Sequence, residues 1–199
     1  MNIYDFDDTI YTGNSEGHFY FHEMKKHPKM LVTVPRMAIS FLGYLLGIKT
    51  KTQAKRNLHR FLRYVPDIDG DLEEFWDKHE KNIKTWYKNR QQEDDIIISA
   101  SPEYLLIPIC RRLGIKYLMA SRVDKKTGAY DGLNCHDEEK VRRLYERFPD
   151  AVCDEFYSDS LSDTPLAEIS KQAWIIRGVT LFDWNEYDMS KQKKKRKKC

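Results

Sequence analysis

Residues 2–9 read Asn2-Ile3-Tyr4-Asp5-Phe6-Asp7-Asp8-Thr9, a short strand running straight into a cluster of acids. Asp5 and Asp7 stand two residues apart as the chain leaves the strand, so both side chains can point the same way. Grouping carboxylates at such a point is costly unless a cation or a reaction uses them. A solvated acidic turn is the plain alternative, and the decision rests on what the rest of the chain brings to the same place.

From residue 94 the pattern is that of an α/β fold. Ile96-Ile97-Ile98 is the continuous apolar run of a buried parallel strand, followed by Ser99-Ala100-Ser101-Pro102. Ser101 and Pro102 are an N-cap and N1 pair for a helix to about Leu113, closed by Gly114. A strand is expected over 116–120, a small hairpin over 123–133, and a helix capped by Asp137 to about Phe148. Strands follow near 152–157, 173–176 and 179–182, with a short helix from Thr164. Strands alternating with helices imply a mostly parallel sheet.

Between the acidic cluster and that region the texture is helical. Leu58, Phe61 and Leu62 share one helical face, as do Leu72, Phe75, Trp76, His79 and Ile83, with Pro28, Pro35, Pro66 and Gly70 as punctuation. The nineteen residues Met30–Ile48 are apolar enough to need separate weighing. A buried helix of the insertion is the plain expectation; an interfacial membrane-seeking helix and a true span are the alternatives, with Arg36 and Pro35 opposing the span.

Composition excludes several classes. The chain has 199 residues, 41% hydrophobic and 33% charged, which is a globular mixture. Four scattered cysteines, Cys110, Cys135, Cys153 and Cys199, contain no C-x-x-C, which opposes a structural zinc site and a disulfide framework. The net charge of +3 comes from Lys191–Lys198, which hold seven basic residues; without them 27 basic residues face 31 acidic ones. A uniformly basic nucleic-acid-binding domain is therefore disfavoured. The first residues lack the pattern of a secretory signal, and a cytoplasmic location is expected, with the basic tail able to reach an anionic inner membrane face.

Three further features fall at expected strand ends, where open α/β sheets bind ligands. Ser99 offers a hydroxyl before a helix start, which with its amides makes an anion cradle. Lys140, near the start of a helix, sits where the dipole disfavours a cation, which suggests a task such as neutralising phosphate and acids. Ser158-Asp159-Ser160-Leu161-Ser162-Asp163 supplies a second carboxylate pair after a strand. Asp5, a backbone carbonyl and Asp159 are of the oxygen type that magnesium takes. Taken singly, each feature also reads as a cap or a surface charge. Taken in order, they converge on phosphoryl transfer through an aspartyl-phosphate.

These four segments resemble the ordered motifs of the haloacid dehalogenase (HAD) superfamily, in subfamily IB, the branch that contains phosphoserine phosphatase. Asp5-Phe6-Asp7-Asp8-Thr9 matches its D-x-D-x-T motif, Ser99 its second, Lys140 in Asn134-Cys135-His136-Asp137-Glu138-Glu139-Lys140 its third, and Ser158–Asp163 its fourth. The resemblance implies a Rossmann-like α/β core with a mostly parallel sheet over residues 1–12 and 92–185. It also implies an all-helical cap of the C1 type over 13–91, which leaves 186–199 as a disordered polybasic tail. It implies that Asp5 attacks phosphorus, that Asp7 is the acid and base, and that Lys140 steadies charge. Thr9, Ser99 and Ala100 would serve the phosphate side, and Asp5, Asp7, Asp159 and Asp163 would form the set for Mg2+. Asp7 favours a phosphatase over a dehalogenase, since an alkoxide needs a proton to leave and a halide does not.

The substrate is less determined. Phosphoserine phosphatases carry a glutamate nine residues after the nucleophile; here that position is Asn14, with Glu16 nearby, and the second motif reads Ser-Ala-Ser where those enzymes have Ser-Gly-Gly. Phosphoserine is thus a poor fit. The apolar stretch 30–48 beside Arg36, Lys49, Lys51, Lys55, Arg56, Arg60 and Arg63 suits an amphiphilic substrate. A lipid phosphate such as phosphatidylglycerophosphate is one expectation. A small soluble phosphometabolite is the other, and a non-catalytic polyanion-binding protein on the same scaffold is the reading from a different class.

Overall fold

A computed structural model describes residues 1–49, 53 and 57–187. The basic tail 191–198 with Cys199, and the cap cations Lys51, Lys55 and Arg56, lie outside the described residues. Six strands form one sheet: β1 (Asn2–Tyr4), β2 (Ile96–Pro102), β3 (Tyr117–Ser121), β4 (Cys153–Ser158), β5 (Ser170–Arg177) and β6 (Thr180–Asp183). Their order is β3-β2-β1-β4-β5-β6. All neighbours are parallel except β5 and β6, which pair antiparallel. The mostly parallel α/β sheet expected from the alternating pattern is therefore present.

The three-residue strand β1 is central because it is apolar on both faces. Ile3 and Tyr4 are fully buried, Ile3 packing with Ile96, Ile98 and Phe156 on one side, and Tyr4 with Ile97 and Tyr157 on the other. Tyr4 and Tyr157 stack 4.8 Å apart across the β1–β4 pair. With β2 and β4 on its flanks, β1 places the chain reversal of the sheet at the exit of Tyr4, where Asp5 begins.

Between β1 and β2 run α1 (Ser15–Lys26), α2 (Val34–Leu45), α3 (Ile68–His79) and α4 (Thr85–Lys88), joined in part by 3-10 turns such as Pro28–Thr33 and His59–Tyr64. The expected faces hold: Leu72, Phe75, Trp76 and Ile83 are buried, as are Phe61 and Leu62. They share one cluster with Phe6 and Tyr11 from the start of the chain and Tyr104, Leu105 and Ile109 from α5 (Glu103–Arg112). Trp76 Nε1 donates to the Leu105 carbonyl at 2.8 Å, fixing α3 on α5.

Met30–Ile48 departs from the plain expectation. Of this stretch only Met30, Ser40 and Gly43 are buried, while Val32, Ile39, Phe41, Leu42, Leu45, Leu46 and Ile48 are all more than half exposed. Nothing in the core receives them, because the core face of the insertion is already filled by α1 and α3. No helix among the described residues is long and apolar enough to cross a membrane.

Two local expectations are also corrected. Ser101 and Pro102 stay in β2, so the helix opens at Glu103 with Pro102 at its N-cap position. Asp137 precedes α6 (Glu138–Arg147) but its side chain makes no capping bond, and its φ of +58° is a left-handed conformation rare for a residue with a Cβ. The short α7 (Thr164–Glu168) connects the loop after β4 to β5. The small hairpin expected over 123–133 is present: Val123 and Tyr130 form an antiparallel bridge, the Asp124 amide donates to the Ala129 carbonyl and the Asp131 amide to the Arg122 carbonyl, and Asp124 accepts from Thr127 at the turn.

That loop touches the insertion closely at Gly128. Its φ is +69°, and a Cβ there would lie 2.0 Å from the His59 carbonyl oxygen, which is backbone and cannot swing aside. Gly128→Ala is expected to destabilise the protein by about 2 kcal/mol or more. Urea unfolding monitored by Trp fluorescence checks this; an unchanged midpoint would contradict the contact.

Candidate active site

The exits of β1, β2 and β4 and the first turn of α6 meet at one point. Asp5 continues the β1–β4 pairing through its amide, which donates to Tyr157 O at 2.9 Å. Its carboxylate then meets Lys140, whose Nζ donates to Asp5 Oδ1 and Asp163 Oδ2, both at 2.8 Å. Lys140 is 2% exposed, so its charge has no recourse to water and is balanced by these two acids. They hold its pKa above the ordinary lysine range despite burial. Burial raises the Asp5 carboxyl, Lys140 opposes that, and Asp163 and Asp7 add to it.

Asp7 is turned to a different shell. Its Oδ1 accepts from the Ser15 amide at 2.7 Å and its Oδ2 from the Ser101 hydroxyl at 2.5 Å. Burial keeps its carboxyl above the usual carboxylate range, against the pull of those two donors. A carboxyl held upward and positioned by fixed donors is equipped to carry a proton. Ser15 opens α1, so the first turn of the insertion is part of the site.

The remaining residues divide into reachable and structural. Thr9 is fully buried, and its Oγ1 accepts from the Asp159 amide at 2.9 Å, tying the first and fourth loops together. Ser99 is buried, and its Oγ accepts from the Ser101 amide at 3.1 Å. The Ala100 carbonyl accepts from Ser121 Oγ, which anchors the β2 exit to β3. Asp163 Oδ2 is shared between Lys140 and Ser158 Oγ, the latter at 2.7 Å, so this oxygen orients the lysine. Asp159 is pushed up to about 6 by burial and by the charges of Asp8 and Asp163. A divalent cation fits here. Asp5 and Asp163 meet on Lys140, and the Asp159 loop is tied to the β1 exit through Thr9, so hard oxygen donors of the kind magnesium takes lie at the exits of β1 and β4.

Some participants carried no sequence signal. Ser101, read as a helix cap, is the Asp7 donor. Lys84, buried at the end of the insertion, donates to the Asp8 carbonyl; burial lowers its pKa, and Asp8 and Asp159 pull it back. Lys84, Asp8, Thr12, Asp159 and Arg177 line a cavity of about 340 Å³ beside the site. Asp8 itself has φ +52°, and its Oδ1 accepts from the Gly13 amide, which turns the chain from the core into the insertion. Asn14 is spent as the N-cap of α1, accepting from the Gly17 amide at 2.7 Å. Glu16 is buried and pairs at 3.2 Å with the fully buried His59, whose ring lies between the Tyr104 and Tyr130 hydroxyls. Only distance in sequence hid this pair.

A profile for the haloacid dehalogenase-like hydrolases matches residues 3–168. Protein CicA of Caulobacter vibrioides is 26% identical over 194 residues, covering 90% of this chain and 85% of that protein. A protein of unknown function from Bordetella pertussis Tohama I superposes with a TM-score of 0.71 at 19% identity, over 87% of each chain. A phosphoserine phosphatase solved as a phospho-aspartyl intermediate analogue superposes with a TM-score of 0.54 at 17% identity, over 86% of this chain and 83% of that one.

Removing the shared ammonium should leave two buried carboxylates facing each other. Lys140→Met is expected to cost about 3–5 kcal/mol of stability at pH 8. Burial already raises the Asp5 carboxyl and Lys140 opposes that rise, so without Lys140 the folded-state pKa of Asp5 climbs further above its unfolded value. The deficit should therefore shrink as pH falls toward 5 and Asp5 binds its proton. Thermal unfolding at the two pH values, in chelator, checks it; a deficit independent of pH would contradict the bridge.

Proposed function

The chain belongs to the haloacid dehalogenase-like hydrolases; from that premise we propose that it is a phosphomonoesterase of the phosphoserine phosphatase-like branch, acting by Mg2+-dependent hydrolysis through a phosphorylated Asp5. In the first half-reaction an Asp5 oxygen forms a bond to phosphorus while the bond to the substrate oxygen breaks. Asp7 gives its proton to the departing alkoxide. In the second, Asp7 takes a proton from water, the water oxygen attacks phosphorus, and Asp5 leaves as a carboxylate with inorganic phosphate. Asp5, Asp159 and the main chain of Asp7 would hold the magnesium ion. When bound, it supplies positive charge that offsets repulsion between the carboxylates and the phosphate.

The observation that carries this reading is the separate engagement of the two acids. Lys140 holds Asp5 in place and favours its charged form against burial, whereas Asp7 is positioned by the Ser101 and Ser15 donors and its pKa is raised by burial. One residue is suited to attack and the other to proton transfer. Lys140 then follows the charge as it moves from Asp5 to the phosphoryl oxygens. A purely binding role for the scaffold has no use for a proton-carrying Asp7.

Residues 13–91 act as the cap that selects the substrate. A lipid phosphate is supported by the exposed apolar face of Val32–Ile48 and by the groove next to it. That groove has a volume of about 790 Å³ and is lined by Arg36, Lys49, Arg60 and Arg63 together with Val32 and Ile39. Apolar side chains beside cations match an anionic membrane surface, where each basic residue contributes about 1 kcal/mol. The replacement of a glutamate by the capping Asn14, and the engagement of Glu16 by His59, favour a substrate without a free ammonium group.

Asp5→Asn should lower kcat on p-nitrophenyl phosphate by about 1,000-fold or more, and chelator should abolish wild-type turnover. Asp7→Asn should still accept phosphate from a good leaving group yet release it slowly, which acid-quench labelling detects. Full activity in Asp5→Asn would overturn the assignment of the nucleophile. Vesicle-embedded lipid phosphates should be hydrolysed faster than soluble phosphometabolites. Leu42→Glu with Leu46→Glu should remove that preference and spare p-nitrophenyl phosphate; no preference in the wild type would reject the lipid reading.

A further inference from the structure

The insertion holds a second cluster of ionisable side chains that phosphoryl transfer does not use. Glu23 and His27 stand one helical turn apart at the end of α1, and Asp71 faces them from the first turn of α3. His27 Nε2 lies 2.8 Å from Asp71 Oδ2 and 3.6 Å from Glu23 Oε2. One ligand atom from each of the three residues lies within 4.8 Å of the other two, and among the described residues no other three His, Cys, Asp or Glu side chains converge in this way.

Glu23 is the anomaly that asks for a ligand. It is 0% exposed, and among the described residues no N–H or hydroxyl donor hydrogen-bonds its carboxylate oxygens, whose close neighbour Asp71 is another carboxyl group. The nitrogen groups close by are committed elsewhere: Lys26 Nζ donates to Asp71 Oδ1 and Glu74, and His27 Nε2 is bonded to Asp71. Asp71, which faces Glu23 across the cluster, is a second carboxylate, so the acids of the cluster outnumber the ring that joins them.

We propose that Glu23, His27 and Asp71 form a divalent transition-metal site, best matched by zinc, that clamps the end of α1 to the start of α3. Imidazole with two carboxylates suits zinc, whereas magnesium takes oxygen and water. Metal–ligand bonds of about 2.0–2.1 Å at tetrahedral angles put ligand atoms about 3.3 Å apart. The 2.8 and 3.6 Å separations straddle that value, so small side-chain adjustments admit the ion. Lys26 on the far Asp71 oxygen leaves the near one as a single ligand, which is how outer partners orient a metal-binding carboxylate. The His27 side chain is 22% exposed, which gives the ion a path in and leaves the fourth position to water.

The test is zinc binding by the full chain, and its readout is independent of phosphatase activity. Chelator-treated protein, with magnesium in excess, is titrated with Zn2+ against a competing chromophoric chelator, and its Tm is followed in parallel. One tight equivalent that raises Tm is expected. His27→Ala and Glu23→Gln should each weaken it by about 100-fold or more, and Asp5→Asn should leave it in place. If Glu23 instead shares a proton with Asp71, Glu23→Gln keeps or raises Tm in chelator and the wild type shows no Tm response to zinc; that result would overturn the site. So would loss of the tight equivalent in Asp5→Asn, or its persistence in His27→Ala.

Discussion

A single buried ammonium governs the catalytic end of the molecule. Lys140 reaches Asp5 on the β1 exit and Asp163 on the loop after β4, and neither acid could be packed this deeply without it. Because the lysine springs from the first turn of α6, three separate elements are fixed to one another through one charge. Thr9 adds a second tie between the first and fourth loops through the Asp159 amide. The two bonds together hold two loops from neighbouring strands in register, which is the pre-organisation that phosphoryl transfer rewards.

The helical insertion completes the site from above. Ser15, at the start of α1, donates to Asp7, and Lys84, at the insertion's far end, reaches Asp8. Both ends of the insertion are thus anchored at the acids, while its middle presents apolar residues outward. Inside, the Glu16–His59 pair and the tyrosines 104 and 130 form a polar seam between the insertion and the core. This division follows from where the core is already filled: Phe19, Phe75 and Trp76 occupy the inner face, and α2 has no apolar surface left to cover.

The parts of this arrangement that sequence made legible were those carried by local pattern. Ile96–Ile98 announces a buried strand by composition alone, and the acids of the first and fourth segments stand within a few residues of strand ends. What the pattern missed depended on tertiary competition. Ser101 looked like a cap because Ser-Pro before a helix usually is one; the strand runs four residues beyond Ile98, and Ser101 hands its hydroxyl to Asp7. Asp137 looked like a cap for the same reason, yet its left-handed backbone turns the side chain away from the helix amides. Met30–Ile48 looked like core because hydropathy counts apolar residues without asking whether a surface remains to receive them. Glu16 and His59 are 43 residues apart, a separation no window sees.

The position of β1 also shapes how the chain must assemble. It is the first strand synthesised, yet it lies in the middle of the sheet, with Ile3 beside Ile96 on one edge and Phe156 on the other. On the ribosome, both edges of this apolar segment wait unpaired while the helices form, and the second edge waits until the fourth strand has emerged. Closure across such a separation is slow, and an uncovered strand is a template for pairing with the wrong chain. The cluster of acids directly after Tyr4 gives the waiting segment a charged, aggregation-resistant border.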